Sequence, residues 1–262
     1  MTERAAVSVG VAASIGPELA AQLAPLIEAA GFHALWVNDT PGADALSVLA
    51  GAARTTERLT LATGVLPVDR RAAVNIAAQV IERGLPQDRL VLGIGSGQAK
   101  TGALQLVSAA AADLRTRIDA RILVGALGPK MRSLAVQESD GVLLSWLNPP
   151  AAHEQAQDAH ASTPGTHVAL YVRAALESAA HDRLREETAR YARFPAYAAN
   201  FARLGIDPHD TVLDAADHDV GSRLSDYRRG ANEVVLRAIT AADTLDDYWR
   251  FLDAARSLLP AE

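Results

Sequence analysis

Residues 121–146 read RILVGALGPKMRSLAVQESDGVLLSW and contain one complete folding unit. Positions 121–126 and 141–146 are strand-length runs, apolar at nearly every position. A run without alternation marks a strand covered on both faces, as in a parallel sheet flanked by helices; a half-exposed antiparallel strand would alternate. Between the runs, Gly128-Pro129 opens a helical stretch over 131–138. The proline falls in the first turn, where its missing N–H costs nothing. Strand, helix and strand in this order make a βαβ unit.

The unit recurs outward in both directions. Strand-length apolar runs occupy 5–11, 34–37, 59–65, 89–94, 121–126, 141–146, 167–172 and 233–239. Helical patterns lie over 18–30, 45–54, 72–83, 131–138 and 150–160. The first carries Leu19, Leu23, Leu26 and Ile27 on one stripe and is closed by Gly31. Asn148 ahead of Pro149 and Pro150 is a helix start signal. Eight strands alternating with helices is the count of a (β/α)8 TIM barrel. An open, doubly wound sheet of the same units is the alternative, since periodicity does not show closure; the barrel is preferred on strand number and length. Residues 177–204 read as one or two extra helices between the seventh and eighth strands. Leu184, Thr188, Tyr191 and Phe194 are spaced there for a buried stripe, and Pro195 forces a break. Asp207-Pro208 starts another helix. With no Gly/Ser-rich or Pro-rich linker, residues 1–262 are read as a single barrel domain.

Composition narrows the chemistry. The 262 residues carry a formal charge of −6 and no cysteine, which excludes disulfides, thiolate nucleophiles and cysteine-held metals. At 49% hydrophobic and 21% charged, the chain can bury a large core. The acidic balance argues against a nucleic-acid partner. Arg4 followed by the apolar run 5–15 has the outline of a signal segment, but Glu3 spoils the basic start and the run passes into Pro17-Glu18. With no apolar stretch long enough for a membrane span, the expectation is a cytoplasmic protein with no membrane partner.

Familiar motifs fail on spacing. GIGSG at 93–97 lacks the last glycine of a dinucleotide fingerprint, because position 98 is Gln98. Residues 125–130 are one position short of a P-loop, and Met131 stands where Ser or Thr belongs. Ser96 lies between Ile94 and Gln98 and is no nucleophile elbow. His153-Glu154 has Gln157 where a zinc motif needs histidine. His33, His160, His167, His181, His209 and His218 show no ligand spacing, so no metal site is expected.

In a barrel, chemistry sits at the C-terminal ends of the strands. Those ends read Asn38-Asp39, Thr63-Gly64-Val65, Gly95-Ser96-Gly97-Gln98, Ala126-Leu127-Gly128-Pro129-Lys130 and Ser145-Trp146, rich in glycine and small polar groups. A glycine-bearing turn into a helix N-terminus offers free N–H groups and a positive dipole end to a phosphate, and Lys130 adds a full charge. An ordinary turn with a surface lysine fits the same residues. Asp39 either hydrogen-bonds a heterocycle or caps the next helix.

Six stretches in order, GFHALWVND (31–39), TLATGVLP (60–67), RLVLGIGSG (89–97), GALGPKM (125–131), DGVLLSWLNP (140–149) and YARFPAYAANFARLG (191–205), resemble the luciferase-like monooxygenase superfamily. The nearest look is that of the coenzyme F420-dependent branch, which includes methylene-tetrahydromethanopterin reductase-like oxidoreductases. The resemblance runs on to NEVVLR at 232–237. It implies a deazaflavin or flavin across the barrel mouth, held on a bulge after the third strand with a non-prolyl cis peptide at Gly64–Val65. It places the cofactor phosphate on backbone N–H groups of Ala126, Leu127 and Gly128, beside Pro129 and Lys130. Asn38, Asp39, Gly95 and Ser96 would line the ring or its ribityl chain, with Asp39 the one catalytic candidate. A homodimer built on helices near the second and third strands is implied as well.

The departures are specific. Thr40 stands where many relatives have histidine, and Gln98 where some have a glutamate able to donate a proton. About twenty residues join the fourth and fifth strands, where the family commonly inserts a segment that covers the site. The leading reading is an F420-dependent oxidoreductase acting on a small organic substrate. The alternatives are an FMN-dependent monooxygenase of the same fold and a trimmed paralogue that binds a cofactor or ligand without catalysis.

Overall fold

The computed structural model describes residues 5–216 and 219–259. Eight strands run parallel around a closed barrel: β1 (Ala6–Ala12), β2 (Ala34–Asn38), β3 (Thr60–Pro67), β4 (Leu90–Gly95), β5 (Arg121–Gly125), β6 (Gly141–Ser145), β7 (His167–Ala175) and, last in the circle, β9 (Glu233–Ala238). Closure comes from β9, which pairs with β7 on one side and β1 on the other. The barrel is therefore the architecture, and the open-sheet alternative falls. A two-residue strand absent from the sequence reading, β8 (Leu213–Asp214), extends the ladder at the far end of β7, beyond the reach of β6.

The helices follow the strands in turn: α1 (Gly16–Ala29), α2 (Ala45–Ala53), α3 (Ala73–Glu82), α4 (Ala103–Arg115), α5 (Pro129–Glu138), α6 (Pro149–Ser162), α7 (His181–Ala192), α8 (Pro195–Leu204), α9 (Val220–Tyr227) and α10 (Leu245–Ser257). As expected, Asn148 caps α6 by accepting from the Ala151 N–H at 3.1 Å, and Pro195 opens a new helix after α7 ends. Asp207-Pro208 starts only a 3-10 turn, Pro208–Thr211. Phe194 leaves the expected buried stripe. It sits between α7 and α8, 45% exposed, because the break at Pro195 takes it off the helical repeat. The sequence reading did not single out α4, although Val107, Ala110, Ala111 and Leu114 are buried at the i, i+3, i+4, i+7 spacing.

Period two in the strands divides the core. Val7, Val9 and Val11 of β1 face outward into the large layer between strands and helices. Inside the barrel a smaller cluster holds Ala34, Trp36, Ala62, Val91, Leu123, Leu143, Ala169, Tyr171 and Val235. Trp36 and Tyr171 are its two largest side chains and meet edge to face, ring centroids 6.1 Å apart. The lower end is closed by a polar knot. Glu233 accepts from Ser8 Oγ (2.5 Å), Trp36 Nε1 (2.6 Å) and His167 Nε2 (3.0 Å). Burial pushes its pKa up, but these donors prevail and hold it below the ordinary glutamate value. Among the described residues, no helix is long and apolar enough to cross a membrane.

Candidate functional site

Each interior row can be followed upward by one more alternation, to the C-terminal mouth. Above Trp36, Ala62, Val91, Leu123 and Leu143 come Asn38, Gly64, Gly93 with Gly95, Gly125 and Ser145. On these strands the rim has almost no side chains, which leaves a shallow floor. Above Tyr171 and Val235 come Arg173 and Arg237, paired in register on β7 and β9.

The floor is shaped by β3. Its register with β4 shifts between Thr63 and Leu66, so the ladder bulges at Gly64 and Val65, and the Gly64–Val65 peptide is cis. Bulge and cis bond both match what the resemblance implies. The Asn38 amide holds the segment by donating to the Gly64 carbonyl, while its Oδ1 accepts from Tyr171 Oη at 3.1 Å. Burial pushes the Tyr171 phenol pKa well up, so it remains a donor. The Val65 side chain then spreads over the neighbouring glycines. A Cβ on Gly95 or Gly125 would lie only 2.8 or 2.9 Å from its methyl groups. A flat apolar step results, half open to solvent, of the kind a planar heterocycle can lie on.

Asp39 points elsewhere. Its Oδ1 pairs with Arg71 Nη1 at 3.0 Å and accepts from the Ala45 N–H at 3.1 Å. Arg71 also binds Asp44, the N-cap of α2. Of the two readings of Asp39, the structure displays the one that secures the helix start. Ser96 is half-buried at the end of β4, and the Gln98 N–H is held by Asp69 Oδ2 at 2.9 Å. Residues 96–102 are the whole connection from β4 to α4, so no covering segment stands there.

The α5 entrance has the expected form: Gly128 extended at the N-cap, Pro129 in the first turn, no capping side chain. The Ala126 N–H is already taken by the Leu143 carbonyl at 3.1 Å, which leaves those of Leu127 and Gly128. Lys130 is exposed beside them. Two more cations, missed in the sequence, converge here. Arg132 Nη1 and Arg203 Nη2 both donate to the Leu127 carbonyl, at 3.2 and 3.3 Å. Neither forms an ion pair among the described residues. Burial, and then repulsion from Arg203, lower the Arg132 pKa. Asn200 accepts from Arg203 at 2.5 Å, and its own buried Nδ2 has no acceptor. Arg132, two residues past Lys130, was a readable signal; Arg203 arrives from α8 and was not. An uncapped helix start with Lys130 exposed in its first turn, and with Arg132 and Arg203 gathered on the Leu127 carbonyl, suits an anion.

The opposite half of the mouth is covered. Trp146, with φ 56°, is buried under α7 and α8 among Tyr191, Tyr197 and Phe201. Arg173 stacks over Trp146, binds Glu187 Oε1 at 3.3 Å and leaves Nη1 without an acceptor. The helices after β7 thus supply the cover that the short β4–α4 connection lacks. Among the described residues no three His, Asp or Glu side chains converge as a metal site. Of the histidines considered, His218 lies outside the described residues.

Residues 4–105 match the family model of luciferase-like monooxygenases. That segment contains Asn38, the Gly64–Val65 step and Gly95-Ser96. Almost the entire chain aligns with solved structures of similar fold. One is an F420-dependent secondary alcohol dehydrogenase in complex with an F420-acetone adduct, at 14% identity, covering 98% of this chain and 99% of that one, TM-score 0.69. Another is the coenzyme F420-dependent tetrahydromethanopterin reductase of Methanopyrus kandleri, at 15% identity, 98% and 99% coverage, TM-score 0.68. A third is the FMN-bound oxygenating constituent of 3,6-diketocamphane monooxygenase from Pseudomonas putida, at 13% identity, 97% and 100% coverage, TM-score 0.64. Identities this low establish a shared fold. No curated protein matches the sequence. The luciferase-like resemblance is borne out over residues 4–105, which hold the first three of the six stretches, and the neighbours of similar fold include both F420 and FMN proteins.

Proposed function

We propose that this chain is an oxidoreductase that binds F420 across the barrel mouth and transfers a hydride between it and a small organic substrate. The observation that carries the reading is the nearness in the fold of two features: the apolar step that Val65 makes over Gly95 and Gly125 at the ends of β3, β4 and β5, and the cations Lys130, Arg132 and Arg203 at the α5 entrance that follows β5. One takes a flat ring and the other a phosphate. When bound, a deazaflavin supplies the hydride at its C5. The protein contributes position: Val65 supports the ring from below, and Asn38 locks the carbonyl that fixes Val65. Asp39, through Arg71 and Ala45, holds the loop beside the ring. Tyr191 and Tyr197 exclude water from one side. FMN is the second reading, favoured by the same three cations, which suit a phosphomonoester dianion.

Parallel titrations with F420 and FMN test this. Binding of F420 at micromolar concentration or tighter, with FMN weaker, supports the reading, and Lys130→Ala or Arg132→Ala lowers that affinity. If neither cofactor binds at about 100 μM, a free energy under roughly 5.5 kcal/mol, the oxidoreductase reading falls. We further propose a homodimer through α3, whose outer face exposes Val74 and Ile81 seven residues apart. Light scattering that gives a monomer at micromolar concentration overturns that.

A further inference from the structure

We propose that the substrate carries an anionic oxygen group, a carboxylate or its sulfonate or phosphonate counterpart, and that Arg173 and Arg237 receive it at the barrel mouth. The inference deepens the function proposed above and rests on it for the statement that the bound acid is the substrate.

Arg173 and Arg237 occupy register-paired positions of adjacent strands, both on the rows that rise from the barrel interior. Glu187, on α7, is the carboxylate in ion-pair contact with Arg173, and Arg237 has none among the described residues. The nearby Asp243 is committed to Arg183 at 2.7 Å and to Tyr248 and Thr240 at 3.0 Å. Arg190, 58% exposed, shares Glu187 at 3.6 Å, so three guanidiniums face one carboxylate, a positive surplus in a site walled by aromatic rings. A cation is costly there unless an anion accompanies it.

The hydrogen-bond deficit has the same sign. Arg173 Nη1 and Trp146 Nε1 are buried, in contact through the guanidinium over the indole, and neither finds an acceptor among the described residues. Both are donors. Buried polar groups are nearly always paired, so two neighbouring unpaired donors call for an acceptor-rich guest. Arg237, whose one hydrogen bond among the described residues goes to the neighbouring Ala238 carbonyl, is half-exposed like Ser145 and marks the side from which such a group enters. A neutral alcohol or ketone would leave the charge surplus unmet. An oxyanion answers charge and donors together.

The test titrates the full chain, with and without F420 or FMN, with acetate, methanesulfonate and methylphosphonate as probes and acetamide as the neutral isostere. Tryptophan emission and calorimetry report binding. At least one anion should saturate while acetamide does not, and Arg237→Gln should weaken that anion about tenfold, the scale of a charge-assisted bond. Lys130→Ala should leave anion affinity unchanged while lowering cofactor affinity. Arg173→Lys, which keeps a cation opposite Glu187, serves where Arg173→Gln fails to fold, and it should weaken the anion too. Equal binding of acetamide, failure of all three anions, or indifference to Arg237→Gln overturns the proposal. Cofactor binding without anion binding sinks this inference alone; anion binding without either cofactor sinks the assignment of the acid as substrate and, with it, the oxidoreductase reading.

Discussion

Arg173 sits over the Trp146 ring, its guanidinium carbon 4.0 Å from the indole centroid. One residue comes from β7 and the other from the turn after β6, so the stack ties two strand ends to the helices above them. Tyr191 packs beside both, its centroid 4.7 Å from the same carbon and 4.8 Å from the Trp146 ring. A desolvated cation–π contact of this kind contributes about 2 kcal/mol beyond area burial. Trp146→Ala should therefore destabilise the fold by about 3–5 kcal/mol, the cost of emptying a buried aromatic site. Urea unfolding reads this directly. A loss within experimental error of zero would mean that α7 and α8 do not rest on Trp146.

The Val65 step makes a prediction about coupling. Gly95→Ala places a methyl group 2.8 Å from Val65 and should cost about 1–3 kcal/mol by overpacking. Val65→Ala in the same chain should recover much of that cost. A double-mutant cycle that shows simple additivity would separate the two residues and remove the step.

At the α5 entrance, stability and function should move in opposite directions. Arg203→Ala removes a cation that repels Arg132. The unliganded protein should keep or raise its melting temperature, while its affinity for the cofactor falls about tenfold through loss of a charge-assisted contact. A variant that loses stability and retains full affinity would make Arg203 a structural residue.

The knot below the barrel predicts acid sensitivity. Glu233 has a folded pKa below its ordinary value, so its stabilisation is fully present above the unfolded glutamate pKa and is lost as pH falls through the depressed folded value. Stability should decline on acidification through about pH 4.3, where the unfolded group is half protonated while the folded one is still largely ionised. Glu233→Gln should cost about 2–3 kcal/mol at neutral pH and flatten that acid limb. Denaturant midpoints at a series of pH values would show both effects, and parallel curves for the two proteins would exclude Glu233 from the acid transition.

Much of this architecture is written in short-range patterns. Buried parallel strands need unbroken apolar runs, and RILVG and GVLLS supply them on either side of a helix that Gly128 and Pro129 start. Helix entrances at Asn148 and Pro195 were legible for the same local reason. Helix α4 was equally legible, at Val107, Ala110, Ala111 and Leu114, yet an Ala-rich stretch between two strands reads as mere connection when its stripe is not counted. Site residues fall into two groups. Glycines at strand ends, with Lys130 at a helix start, are marked by backbone requirements that a local reading can see.

The sequence thus specified the repeat, the strand ends and the phosphate-like turn, because each depends on neighbours within a few positions. Closure of the barrel depended on β9 finding β1 and β7 across most of the chain. Long-range folding also decided the convergence of Arg132 and Arg203 on the Leu127 carbonyl, the diversion of Asp39 to Arg71, and the register pairing of Arg173 with Arg237. Period two says that two arginines face the barrel interior; it does not say which strands will be adjacent, and only adjacency turns two separate charges into one site.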